Sequence, residues 1–138
     1  MVRKDVVIAV VVREGKVLIC QRRESDSFGG FWEFPGGKRE ADETPEQCLV
    51  RELREELQLD VTPTRALAPI EHDYPSIHVR LLPYQCECEV GEPKAIACEQ
   101  FAWVQPHQLR DYRFPQANAP LIELIAAELA APRGGLDK

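Results

Sequence analysis

The sequence predicts a single α/β domain of the α+β kind, built from strands, one helix, further strands and a closing helix. Three observations carry this reading. Residues 6–12, Val-Val-Ile-Ala-Val-Val-Val, form a β-branched and apolar run. The segment Thr44-Pro45-Glu46-Gln47 has the form of a helix start, with apolar residues at helical spacing behind it. Residues 119–129 are rich in alanine and leucine and place Leu121, Ile122, Ile125 and Leu129 on one helical face.

Taken in order, residues 6–12 and 16–21 read as a hairpin across Arg13-Glu14-Gly15. A polar, glycine-containing loop follows at residues 25–30, and Phe31-Trp32-Glu33-Phe34 runs into Pro35-Gly36-Gly37, where the chain must turn. Thr44 is the expected N-cap, Pro45 sits where its missing N–H costs nothing, and Gln47 completes a capping box. The helix should run over residues 45–57 with Leu49, Val50, Leu53 and Leu57 facing the core. Strands are expected at residues 61–68, 78–89 and 100–104, the second bending at Pro83 because proline cannot donate to a ladder. The domain should span residues 1–138, with 131–138 as a fraying tail.

Length and charge narrow the function classes. A chain of 138 residues buries enough surface for one core without staples. Its net charge of −6 and pI near 5.1 exclude a long nucleic acid as partner, because phosphate neutralisation needs a basic face. Five cysteines without a C-x-x-C pair fit neither a disulfide framework nor a zinc ribbon and suit reduced, cytoplasmic thiols. No apolar run approaches the roughly 20 residues of a membrane span. What remains is a small-molecule partner for a monomer or homodimer.

The helix carries Arg51-Glu52-Leu53-Arg54-Glu55-Glu56. A wheel drawn from Leu49 groups Glu52, Glu55 and Glu56 on an arc expected to lie roughly opposite the apolar stripe. Such a face is either a solvated acidic surface helped by Arg51 and Arg54, or a cation site. The glycines at 36 and 37 bring bare backbone close to the helix, able to present a carbonyl, and carboxylate and carbonyl oxygens suit Mg²⁺, with Mn²⁺ as a substitute, rather than zinc.

Gly37, five residues, Glu43, seven residues, then Arg51-Glu52-Leu53-Arg54-Glu55-Glu56-Leu57-Gln58-Leu59 resembles the Nudix box, G-x5-E-x7-R-E-U-x-E-E-x-G-U, over residues 37–59. Gln58 stands where the family has glycine, which predicts either a left-handed Gln58 or a helix that ends differently. The resemblance implies an α/β/α sandwich on a mixed sheet and hydrolysis of a nucleoside diphosphate-linked substrate. It implies that Glu52, Glu55 and Glu56 hold Mg²⁺ together with a carbonyl of Gly36 or Gly37, and that Glu43 and Arg51 order the loop–helix unit of the catalytic box. Glu52 is the expected base or metal-bridging group and Glu56 the firmest ligand.

Similarity beyond the box, in residues 32–38 and 114–120, is to the MutT-type members, which act on oxidised purine triphosphates such as 8-oxo-dGTP. There the asparagine matching Asn118 reads the purine edge; asparagine also fills a helix N-cap well. Ile77 falls where that likeness places an arginine, and Glu99 is the expected replacement for a displaced metal-binding glutamate. Arg23 and Lys38 are candidates to pair with phosphate oxygens. Phe28, Phe34 and Tyr74 are candidates to stack on a base, with Phe34 preferred because it adjoins the glycine turn. Two other readings stay open: a Nudix enzyme for a pyrimidine triphosphate or dinucleoside cofactor, and a non-catalytic module that binds a damaged base.

Overall fold

The computed structural model describes residues 2–129; the expected tail at 131–138 lies outside them. The elements are β1 (Val2–Arg13), β2 (Lys16–Gln21), β3 (Trp32–Glu33), β4 (Gly36–Gly37), α1 (Pro45–Leu57), β5 (Thr62–Ala66), β6 (Ile70–Tyr74), β7 (Ile77–Glu87), β8 (Gln100–Val104) and α2 (Ala119–Leu129). Two 3-10 turns, Pro106–Asp111 and Gln116–Asn118, lead into α2.

All the strands join one sheet, ordered β3-β2-β1-β7-β5, with β8 on β2, β4 on β1 and β6 on β7. The sheet is mixed: β1 runs parallel to β7 from Val2↔Ile77 to Val12↔Glu87, and the other pairings are antiparallel. Period-two alternation along β1 explains why helices cover both faces. Val7, Ala9 and Val11 pack with Leu49, Leu53 and Leu57 of α1. Ile8 and Val10 pack with Leu121, Ile122 and Ile125 of α2 on the other side. Fully burying each such side chain contributes about 1.5–3 kcal/mol, so the two faces supply most of the stability. This is the expected α/β/α sandwich.

Helix α1 starts as its sequence dictates. The Gln47 N–H donates to Thr44 Oγ1 at 3.1 Å, and the Thr44 N–H donates to Gln47 Oε1 at 2.9 Å. The buried stripe is Cys48, Leu49, Leu53 and Leu57; Val50 is only half-buried, and Cys48 takes its place. The helix ends on Gln58 in the left-handed region, φ 51° and ψ 42°, with its N–H donating to the Arg54 carbonyl. A Cβ there costs roughly 0.5–1 kcal/mol relative to glycine. Gln58→Gly is therefore expected to raise Tm by about 2–5 °C in a thermal melt, and an unchanged or lower Tm would show that the ending carries no strain.

Two departures from the expected elements have physical causes. The strand expected at residues 61–68 is β5 alone, and residues 70–74 form an additional strand, β6, which hairpins onto β7 through Pro75 and Ser76. Its alternation of Ile70, His72 and Tyr74 with Glu71 and Asp73 was legible but is charged, as suits a strand with one face in water. The strand expected at residues 78–89 is β7, which runs through Pro83 without interruption. Pro83 sits where β6 stops pairing at Leu81 and β5 begins at Tyr84, so no partner there needs its N–H, while its carbonyl accepts from the Leu67 N–H at 2.8 Å.

Candidate active site

Strands β1 and β2 pair at the hairpin end, and beyond it β4 takes the place beside β1, at Val7↔Gly37 and Ile8↔Gly36. The insertion requires glycine at position 36, and at position 37 a side chain would displace a carboxylate. A Cβ on Gly36, whose φ is +153°, would stand 2.1 Å from the Val7 carbonyl oxygen. A Cβ on Gly37 would stand 2.4 Å from Glu52 Oε2. The glycine turn thus brings main chain directly against the carboxylate of Glu52, the contact that a hard-cation site requires.

Arg51 organises the approach to this contact. Its guanidinium grips both oxygens of Glu43 and donates to the Lys38 carbonyl at 3.2 Å, tying the 38–43 loop to α1. The same group lies 3.2 Å from Glu52 Oε2 and 3.3 Å from Glu55 Oε1. Hydrogen bonds from Arg51 and then the Glu40 backbone hold the Glu43 carboxyl at a pKa of about 2. A depressed folded-state value stabilises above the unfolded pKa and is lost as pH falls. Acid titration is expected to lower wild-type stability between pH about 4.5 and about 2 more steeply than that of Glu43→Gln. Superimposable urea-denaturation profiles of the two proteins across that window would refute the role given to the pair.

The three helix carboxylates do not share one exposed arc. Glu55 is open to solvent, whereas Glu52 and Glu56 flank the buried stripe and meet each other beside the glycine turn. The helical period supplies the correction: seven residues make nearly two turns, so Glu56 lies only about 20° from Leu49. Burial, reinforced by the hydrogen bond and charge of Glu52 and by the charge of Glu33, pushes the Glu56 carboxyl up to about 9, while the Gly36 amide opposes the shift. Among the described residues no three His, Cys, Asp or Glu side chains converge as a metal cage. Two carboxylates crowded in a half-buried place do suit a cation, which would remove their mutual repulsion. Glu55 is turned towards Arg51 and would have to leave it to join them.

Glu56 and the glycine turn line a cleft of about 310 Å³. Lys4, Arg22 and Lys38 supply its positive charge, Phe28 and Tyr74 its aromatic rings, and Asn118 an amide. Of the residues singled out in the sequence, Phe28, Gly36, Gly37, Lys38, Glu56, Tyr74 and Asn118 border this space. Arg51, Glu52 and Glu55 are not among its lining residues, though Glu52 meets Glu56, and three further candidates stand elsewhere. Arg23 donates to the Ile96 carbonyl, and its neighbour Arg22 lines the cleft instead, 3.0 Å from Glu33 Oε1. Phe34 is 3% exposed and packs on Phe114 in the α2-side core, so it has no face to offer a base. Glu99 is exposed just before β8 and does not border the cleft, its N–H held by the Gln21 carbonyl at 2.8 Å.

Several cleft residues had weaker sequence signals. Phe28 is 46% exposed and carries a positive φ of 56°, a costly conformation for a bulky side chain, and lies 5.9 Å from Tyr74. The Tyr74 hydroxyl accepts from the Ala117 N–H at 2.9 Å, anchoring the turn that carries Asn118. Asn118 Nδ2 donates to the Pro115 carbonyl at 3.3 Å. Glu33, paired with Arg22, is raised in pKa because burial outweighs that pairing. Ile77, at the start of β7, does not border the cleft.

Comparison with known proteins agrees with this geometry. A NUDIX domain model matches residues 6–124. The CTP pyrophosphohydrolase of Escherichia coli (strain K12) is 35% identical over 127 residues, 92% of this chain and 94% of that protein. An 8-oxo-dGTP diphosphatase of Haemophilus influenzae is 36% identical over 124 residues, 88% of this chain and 91% of that protein. The solution structure of the E. coli ORF135 protein superposes with a TM-score of 0.78 at 33% identity, covering 96% of this chain and 95% of that one. The box at residues 37–59, the mixed sheet between two helices and these similarities together lead to one statement: the chain belongs to the Nudix family, MutT-like hydrolases of nucleotide diphosphate bonds.

Proposed function

We propose that this protein is a Mg²⁺-dependent pyrophosphohydrolase that cleaves 8-oxo-dGTP to 8-oxo-dGMP and pyrophosphate by attack of water on phosphorus. The observation that carries the reading is one cleft lined by Glu56, which meets Glu52, by the glycine turn and by a buried asparagine amide. Phosphates suit the carboxylate and glycine turn once a cation is held there, and a base suits the amide.

Glu52 and Glu56 would hold the cation, with a backbone oxygen of Gly36 or Gly37, since hard oxygen donors fit Mg²⁺ or Mn²⁺. When bound, that cation screens phosphate charge and makes a coordinated water more acidic. Glu52 accepts the proton of the attacking water, held in place by Arg51 Nη1 at 3.2 Å. Lys38 and Arg22 offer cationic partners to the phosphate oxygens, and Phe28 and Tyr74 offer ring faces to the base.

Asn118 supports the base preference. One N–H of its Nδ2 donates to Pro115, which leaves Oδ1 to accept from the cleft beside the second N–H. Oxidation at C8 turns the purine N7 from an acceptor into an N–H donor, and an acceptor in the cleft selects that form. The same oxygen would also accept from the exocyclic amine of cytosine. With a CTP pyrophosphohydrolase among the relatives, a pyrimidine triphosphate is the second reading.

A panel of oxidised and normal nucleotides assayed with Mg²⁺ for pyrophosphate release separates the two through kcat/KM. The expected result is 8-oxo-dGTP above dGTP by about a hundredfold, with Asn118→Ala erasing about 1–3 kcal/mol of that preference. CTP or dCTP ranking first would transfer the conclusion to the pyrimidine reading. An Asn118→Ala variant that slows every nucleotide equally would remove the base-reading role.

A further inference from the structure

On the α1 side of the sheet, next to the cleft, lies a hollow of about 270 Å³ over Val7 and Leu82. Arg3, Lys4, Lys38 and Arg39 surround it, with Asp5 as its one carboxylate. In a chain of net charge −6 this concentration of cations runs against the average field. Asp5 is already engaged, 3.5 Å from Arg3 Nε and 3.7 Å from Arg80 Nη1. Elsewhere Arg13, Arg22, Arg51, Arg54, Arg65 and Arg110 each hold a carboxylate. Among the described residues Lys4, Lys38 and Arg39 have none within 4.0 Å, and Arg39 Nη1 only donates to the Glu43 carbonyl at 3.4 Å.

The hollow over Val7 and Leu82 lies on the α1 face of the sheet, and the cleft runs along Val6, Val79 and Leu81 of the α2 face. Lys4 and Lys38 border both spaces, and Lys38 directly follows Gly37, the residue against which the Glu52 carboxylate rests. The Lys38 carbonyl is fixed by Arg51, so the step from one space to the other is held to α1. A polyphosphate chain that passes the glycine turn and leaves the cleft beside Lys38 next meets Arg3 and Arg39. Four cationic side chains around the single carboxylate of Asp5 still repel one another, by roughly 1 kcal/mol for a pair at 4 Å even in water, and a phosphate group reverses that term.

We infer that the hollow between Arg3 and Arg39 is an anion site for the terminal phosphate of the substrate, through which the enzyme prefers nucleoside triphosphates to diphosphates. The inference rests on the nucleotide reading above and adds to it two residues outside the box. Lys4 and Lys38 face the cleft as well, so their loss would disturb both substrate classes. Arg3 and Arg39 border only the hollow and isolate its contribution.

The test compares wild type with Arg3→Ala/Arg39→Ala on 8-oxo-dGTP and 8-oxo-dGDP, and measures calorimetric binding of inorganic tripolyphosphate to both full-length proteins with Mg²⁺. The double variant is expected to lose about tenfold in kcat/KM on the triphosphate, chiefly through KM, and less than about twofold on the diphosphate. Tripolyphosphate should bind about tenfold more weakly. Arg3→Lys/Arg39→Lys should restore most of both losses, and Arg65→Ala, far from the hollow, should change neither. Equal losses on both nucleotides, or undiminished tripolyphosphate binding, would overturn the inference while leaving the hydrolase reading intact. A wild type inert towards both nucleotides would instead overturn the nucleotide reading, and the site would then stand or fall on tripolyphosphate binding alone.

Discussion

Glu56→Gln is expected to abolish hydrolysis while making the metal-free protein more stable. In the folded chain the Glu56 and Glu52 carboxylates meet in a half-buried place beside Gly36; Arg51 pairs with Glu52, and among the described residues no cation pairs with Glu56. At neutral pH a carboxyl held at about 9 is protonated in the folded metal-free chain and ionised in the unfolded one, so folding must take up a proton. An amide keeps the shape, still donates to Glu52 and removes that cost, so the metal-free Tm should rise by about 2–6 °C. Losing a carboxylate from the cation site should cost several kcal/mol of transition-state stabilisation, on the order of a hundredfold or more in kcat/KM. Titration with Mg²⁺ separates the effects: the wild-type Tm climbs as the ion binds the folded state, and the variant's does not. A variant that retains more than about a tenth of wild-type kcat/KM, or whose Tm still rises with Mg²⁺, would remove Glu56 from the cation site.

The two glycines are expected to separate folding from chemistry in adjacent positions. Gly36→Ala sets a Cβ 2.1 Å from the Val7 carbonyl oxygen and 2.8 Å from the Ile8 Cα, both main-chain atoms of the central strand. Neither yields without moving the sheet, so a loss of about 2–4 kcal/mol is expected in urea denaturation. Gly37→Ala meets instead the far end of the Glu52 side chain, at 2.4 Å from Oε2. That carboxylate can rotate away at little cost to the fold, but only by leaving the place where it acts. Stability should therefore stay within about 1 kcal/mol of wild type while kcat/KM falls about a hundredfold. If Gly37→Ala kept full activity, the contact between Glu52 and the glycine turn would be irrelevant to catalysis.

Much of this arrangement was legible along the chain, because local chemistry marks it. Proline at N1 and the Thr44 capping box set the start of α1, and Gln58 in place of glycine left two endings open, of which the left-handed one is found. The limits of β8 and α2 follow from a β-branched and aromatic run and from a helical apolar face. Which side chains reach the cleft was less legible. Arg22 and Arg23 are adjacent, and neither identity nor spacing says which points to the cleft; the pairing of β2 with β3 decides it. Phe34 adjoins the glycine turn in sequence, yet the chain along β1 turns it into the α2-side core against Phe114.

By itself the sequence determined the order of the elements, the spacing of the box and the presence of three carboxylates within five residues of one helix. Periodicity is a local property and is written into the chain. Only the tertiary structure decided that Glu52 and Glu56 meet at the glycine turn while Glu55 stays with Arg51 in solvent, and that four basic side chains from two distant segments gather around one hollow. Those outcomes depend on which element covers the flank of a helix or the edge of a strand. That is a matter of long-range packing between β1, β4 and α1, for which no short stretch of residues carries the information.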